Sequence, residues 1–90
     1  MLFRSYKLLS ALVRSLVDRP NQIEITVIRR EQKVIFQIEA DPADAGKLIG
    51  SGGQTARAIR LIVRANGMRL KRSFSIDIVN MKANKSASAD

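Results

Sequence analysis

The residues Gly50-Ser51-Gly52-Gly53 fall inside a stretch otherwise patterned as helix, and no single helix can run through them. Glycine loses more backbone freedom than any other residue on entering a helix, and it accepts a positive φ at little cost. The run therefore forces a turn between two helices, one from Pro42 to about Ile49 and one from about Gln54 to Asn66. The start of the first is marked in the sequence. Asp41 can cap it, Pro42 suits the first helical position, and Asp44 complements the positive end of the dipole. Gly67 is placed to form a left-handed cap after the second.

Upstream, Leu8, Leu9, Leu12, Val13, Leu16 and Val17 form an apolar helical stripe, which Pro20 should stop near Asp18-Arg19. The longest uncharged run there, Leu8 to Val13, is too short for the core of a secretory signal. It is also far short of the ~20 residues that cross a bilayer, so no membrane partner is expected. Arginine-containing and free of acid before Asp18, this segment also has the character of a mitochondrial presequence. The stripe equally suits the first helix of a small core, and that reading, with a cytoplasmic location, is the one adopted. Two runs of period 2 follow, giving antiparallel strands at 22–29 and 33–40 joined through Arg29-Arg30-Glu31-Gln32, with Ile35 breaking the alternation. A last strand is expected at 72–79, where Phe74, Ile76 and Ile78 alternate with Ser73, Ser75 and Asp77. The order α-β-β-α-α-β makes a two-layer α+β domain over residues 1–80, a three-stranded sheet with three helices on one face. Residues 81–90 are small and polar and read as a flexible tail.

The chemistry open to this domain is narrowed by its composition. The 90 residues contain no Cys, His or Trp. That removes thiolate and imidazole metal sites, Cys or Ser–His nucleophiles and disulfides, so no metal, cofactor or small-molecule substrate is expected. Asp41 and Asp44 are the one close acid pair in a possible cleft, and capping accounts for them. Lys and Arg number 16 against 8 Asp and Glu, a net charge of +8 that points to an anionic partner.

The glycine loop has two readings. It feeds a helix N-terminus, where unpaired N–H groups and the dipole favour a phosphate; alternatively it is only a tight turn, the reading that the bare G-x-x-G spacing favours. Nucleotide-binding loops do not fit. No Lys follows the glycines as in a Walker loop, and Thr55 stands where the dinucleotide fingerprint needs glycine. Most of the excess charge follows the loop, as Arg57, Arg60, Arg64, Arg69, Lys71 and Arg72, with no acid in residues 54–72. Arg57, Arg60 and Arg64 lie within roughly 60° of one another on a helix, a stripe that could track a nucleic-acid backbone or simply face solvent. Such a run repels itself, which weakens the solvated reading. Ala56, Ala58, Ile59, Leu61, Ile62, Val63 and Ala65 cover roughly 220° of the same helix, more than a core-facing stripe requires. Either neighbouring helices bury the whole arc, or a flank assigned to Ala56, Ile59 and Val63 is left exposed beside the arginines for base contacts or a subunit interface.

The run Gly46-Lys47-Leu48-Ile49-Gly50-Ser51-Gly52-Gly53-Gln54-Thr55-Ala56-Arg57-Ala58-Ile59-Arg60 resembles the GK-[IVL]-IG-x-x-G-x-x-A-x-AIR signature of KH domains. The order of elements matches their type II, bacterial form, and Leu16-Val17-Asp18-Arg19-Pro20 is similar to the opening of the small single-KH proteins of the KhpA family. The resemblance spans about residues 8–80. It implies a non-catalytic module whose G-x-x-G loop clamps about four nucleotides of single-stranded RNA beside an apolar groove. Carried over, Gly50 and Gly53 are the paired glycines and Ser51 and Gly52 the residues between. Lys47 and Arg57 would contact phosphates, with Arg60 and Arg64 continuing the basic stripe, while Leu48, Ile49, Ala56 and Ile59 would line the groove. The resemblance also implies self-association, or pairing with a larger KH-containing protein (KhpB or Jag), and a role as RNA chaperone or regulator in cell-envelope growth and cell shape. The other class of function weighed is a protein-interaction subunit that dimerises and touches RNA incidentally. This sequence departs from the family in its loop, where Ser51, Gly52 and Gln54 stand in place of charged or longer polar residues common in other members.

Overall fold

Alternating apolar residues make the central strand and set the frame for the rest. The computed structural model describes residues 2–80; the tail expected at 81–90 lies outside the described residues. Strand β2 (Lys33–Ala40) buries every second side chain, Val34, Phe36, Ile38 and Ala40. On one side it pairs antiparallel with β1 (Glu24–Arg30), and on the other parallel with β3 (Ser73–Asn80), giving the sheet order β1-β2-β3. A parallel neighbour needs a long crossover. Helix α2 (Pro42–Ile49), the glycine turn and helix α3 (Gln54–Arg69) supply it. The register sets Phe36 opposite Val27 and Ile76, and Ile38 opposite Ile25 and Ile78. Phe36 and Phe74 meet edge to face with ring centroids 5.4 Å apart. Ile35, the residue that broke the alternation, lies on the opposite face, paired with Ile28.

The helices cover the apolar face. Helix α1 (Leu2–Leu16) contributes Leu9 and Val13, α2 contributes Ala45 and Leu48, and α3 contributes Ile59 and Val63 to one core with β2 and β3. Of the stripe read in the first segment, Leu9 and Val13 are core, Leu12 and Val17 pack against it half-buried, and Leu8 and Leu16 are exposed. Helix α1 ends at Leu16 rather than near Asp18-Arg19. The reason lies across the fold: the main-chain N–H groups of Asp18 and Arg19 donate to the two carboxylate oxygens of Asp44, at 3.2 and 3.1 Å. Asp44 is 2% exposed, so its role exceeds the dipole complement expected of it. It fastens the end of α1 to the start of α2, while Asp41 caps α2 by accepting from the Asp44 N–H at 2.9 Å. A 3-10 turn at Pro20–Gln22 then delays β1 to Glu24, and Arg14 holds that turn by donating to the carbonyls of Pro20 and Ile23.

The end of α3 corrects a second expectation. The helix does not stop at Asn66, and Gly67 is not its left-handed cap; it runs to Arg69, and Lys71 takes the left-handed conformation at φ 57°. The N–H groups of Arg72 and Lys71 bond to the carbonyls of Gly67 and Met68, a Schellman closure with lysine where glycine is usual. Gly67 serves a different need. A Cβ there would lie 2.8 Å from both the Arg72 carbonyl oxygen and Phe74 Cγ, so its bare backbone is what lets β3 start directly beneath the helix.

Gly46, by contrast, sits in α2 with open space where its Cβ would be. Urea denaturation should therefore separate the two: Gly67→Ala costs about 1–3 kcal/mol through overpacking, whereas Gly46→Ala gains roughly 0.4–1 kcal/mol. Equal effects would contradict the close-approach role of Gly67.

Candidate nucleic-acid interface

The turn between α2 and α3 is built from residues that only glycine occupies comfortably. Gly50, Gly52 and Gly53 have φ of 76°, 62° and 77°. Gly50 is constrained twice over, because a Cβ there would collide with Thr55, lying 2.9 Å from its main-chain nitrogen. Nothing lies within 4 Å of a Cβ placed on Gly52 or Gly53, so only their backbone angles demand glycine. The turn uses some of its own amides. Gly50 donates to the Gly46 carbonyl at 2.9 Å, Gly53 to Gly50 at 3.1 Å, and Gln54 to Ser51. Among the described residues, the Ser51 and Gly52 amides take no main-chain acceptor, and both residues are exposed. The first turn of α3 has no side-chain cap on Gly53 and no acidic residue. After the engaged Gln54 amide, the remaining first-turn N–H groups and the positive dipole end of α3 favour an anion.

Charged side chains border this end of α3. Arg57 folds back over the turn and donates to the Gly52 carbonyl at 2.7 Å, placing its guanidinium beside the loop. Arg64 continues the stripe in an exposed position, and Arg60 is half-buried next to it. Lys47, expected to contact phosphate, is already paired: its Nζ donates to Asp18 Oδ2 at 2.8 Å. That hydrogen bond and the paired charge lower the Asp18 carboxyl below its ordinary value and raise the Lys47 ammonium above its own. Lys47 thus approaches any phosphate with a carboxylate at its side.

The apolar residues divide differently from the flank expected beside the arginines. Ala56, Ile59 and Val63 are buried, Ile59 to 2% exposure, because they face the sheet. Leu48 is buried with them, so among the expected groove residues only Ile49 is exposed. Leu48, Ala56 and Ile59 can form at most the floor of a groove. The surplus apolar surface lies on the far side of the arginines, where Leu61 is 66% and Ile62 42% exposed, with Ala58 and Ala65 beside them. Helical phase alone could have found this face, since Leu61 lies about 40° from Arg57 and Ile59 about 160° away on the other side. Asp18 could not have been found, because its contact with Lys47 exists only in the fold.

Three strands under three helices, with a G-x-x-G turn between the two central helices, define a type II KH domain. The family model of the KhpA/KhpB KH domain matches residues 6–78, and the chain belongs to that family. Relatives support the same placement. The RNA-binding protein KhpA of Oceanobacillus iheyensis is 38% identical over 80% of this chain and 96% of its own length. That of Clostridium acetobutylicum is 32% identical over 81% and 97% respectively, and that of Aquifex aeolicus 35% over 73% and 84%.

The Asp18–Lys47 pair makes a pH prediction with a definite sign. Asp18 is depressed in the folded state, so the pair's contribution is present above the unfolded carboxylate value and is lost as pH falls through the lower folded value. NMR titration should place the Asp18 midpoint below 3.8, and Lys47→Met should return it upward; an unchanged midpoint in that variant would remove the pair.

Proposed function

We propose that this KH domain, spanning residues 1–80, is a cytoplasmic, non-catalytic RNA-binding protein that grips the backbone of single-stranded RNA at the Gly50–Gly53 turn. The observation that carries the reading is the uncapped, acid-free N-terminus of α3, entered through left-handed glycines and flanked by Arg57 held against the turn. A phosphate at that position meets main-chain N–H groups, the helix dipole and a guanidinium together. Ser51 and Gly52 offer amides rather than side-chain charge, Arg60 and Arg64 extend the contact along the strand, and Ile49 is the apolar residue exposed beside the turn. Phosphate contacts carry little sequence information, so preference among sequences is slight. The names of the relatives, RNA-binding protein KhpA, support the same class of ligand. Within that class the protein acts as an RNA chaperone or post-transcriptional regulator in cell-envelope and cell-shape control.

The Ser51→Asp/Gly52→Asp double variant tests the clamp. The left-handed angles at Gly52 are tolerated by Asp and leave room for its side chain, so the fold survives. Circular dichroism should be unchanged while gel-shift binding of RNA is lost, and wild-type affinity should fall steeply with salt. Undiminished binding in the double variant sinks the clamp.

A second reading rests on the exposed apolar face of Leu61 and Ile62, which supports association, either with a second copy of this chain or with a larger KH-containing protein of the KhpB/Jag kind. Charge at Ile59 would damage the core, and charge at Leu61 would sit between Arg57 and Arg64, so the test belongs at Ile62, which is 42% exposed and turned away from those arginines. Light scattering of Ile62→Glu should show a monomer where the wild type is dimeric, with RNA binding retained; a wild type monomeric at high concentration in the absence of partner refutes self-association.

A further inference from the structure

The basic character of α3 does not end with the stripe beside the loop. Between the C-terminal end of α3 and the start of β3 lies a concavity of about 440 Å³, lined by Arg64, Met68, Lys71, Arg72, Ser73 and Phe74, with no acidic side chain among them. Strand β3 is one of the two edge strands of the sheet. On the side where β3 pairs with β2, Ser73 is shared with a second concavity lined by Arg30 and Lys33, although Glu31 also borders it. The Ser73 N–H donates to the Gln32 carbonyl at 2.9 Å and holds the two together.

Lys71 is the informative residue. It occupies the left-handed position of the helix closure, at φ 57°, a conformation costly for a side-chain-bearing residue and the usual place for glycine. A cation near a helix C-terminus gains from the dipole, but Arg69 already stands in the last turn. Three further cations converge on one hollow, and one is held in an unfavourable backbone conformation to do so. Helix phase links this hollow to the loop, because Met68 follows Arg57 and Arg64 on the same stripe, the three lying within about 40°. Along the axis it lies about 21 Å from Gln54, at 1.5 Å per residue.

We infer that this hollow is a second phosphate-binding site for RNA, engaged by a strand that leaves the Gly50–Gly53 turn and runs along α3 to the edge of β3. The inference rests on the loop clamp and extends its footprint beyond about four nucleotides. Lys71 and Arg72 neutralise backbone phosphates there, Arg64 bridges the two sites, and exposed Met68 offers an apolar lip to a base. Binding therefore strengthens with strand length over one domain, without a partner.

The test compares Lys71→Gly and the double variant Lys71→Gly/Arg72→Gln with wild type. Fluorescence anisotropy would use oligouridylates of about four nucleotides, matched to the clamp, and about three times that length. Lys71→Gly relieves the left-handed strain, so its urea midpoint should not fall and lost binding cannot be ascribed to unfolding. Binding of the short strand should be equal in all three proteins. For the long strand, the slope of log affinity against log salt should become shallower by about 1.4 in the double variant, roughly 0.7 for each lost contact. Identical long-strand slopes, with the short strand still bound by wild type, overturn the second site and leave the clamp standing. Failure of wild type to bind the short strand overturns both. Loss of affinity for an acidic peptide alone, with long-strand RNA binding unchanged, also overturns the assignment to RNA.

Discussion

The architecture depends on one steric constraint, the contact between the bare Cα of Gly50 and the start of α3 at Thr55. With any Cβ at that point, α3 could not begin where it does. The turn lets a short helix hand the chain to a longer one without a loop in between, so the amide end of α3 opens directly to solvent. The same compactness supports the parallel pairing of β2 with β3, since the crossover must climb over the sheet and return within the span of α2 and α3. The feature that fits a phosphate is thus also the one that closes the topology.

Helix α3 is fitted at both ends by glycine, for different reasons. Gly50 gives way to Thr55 at its entry, and Gly67 gives way to Phe74 and the Arg72 carbonyl near its exit. Between them the buried line Ala56, Ile59, Val63 and Gly67 fixes the rotation of the helix about its own axis. Once that rotation is set, the arginines and Leu61 have no choice of direction. Charge placement on this surface is a consequence of core packing.

Local signals made most of the fold legible. Asp41-Pro42 marked the start of α2, the glycines marked its end, and period-2 alternation placed β2 at its observed bounds. The failures share a physical origin. Asp44 reads from the sequence as a dipole partner because the donors to its carboxylate, the Asp18 and Arg19 amides, are remote in sequence. Gly67 was read as a cap because the strand that needs its missing side chain follows only after the helix turns back. The exposed flank was placed on Ile59 because hydropathy does not say which arc of a broadly apolar helix meets the sheet. For the candidate interface, the glycine turn and Arg57 could be read from spacing. The pairing of Lys47 with Asp18 could not, and it changes the electrostatics beside the turn.

That pairing bears on how a loop without charged side chains could hold RNA. Lys47 brings a carboxylate with it, and the Gly53 and Gln54 amides are already engaged within the turn. What remains at the loop is the Ser51 and Gly52 amides, the first-turn N–H groups of α3 after Gln54, and one guanidinium. Each is a modest contact when solvent-exposed, since a charge-assisted hydrogen bond contributes only about 1.5–3 kcal/mol. A module of this kind gains affinity by lengthening its contact or by joining a second surface to it. The continuous basic face of α3 suits the first route, and the exposed Leu61–Ile62 face suits the second. Ile62 lies about 120° of helix rotation from Met68 and about 160° from Arg60, so association through Ile62 leaves the basic stripe free, whereas Leu61, about 20° from Met68, borders that stripe.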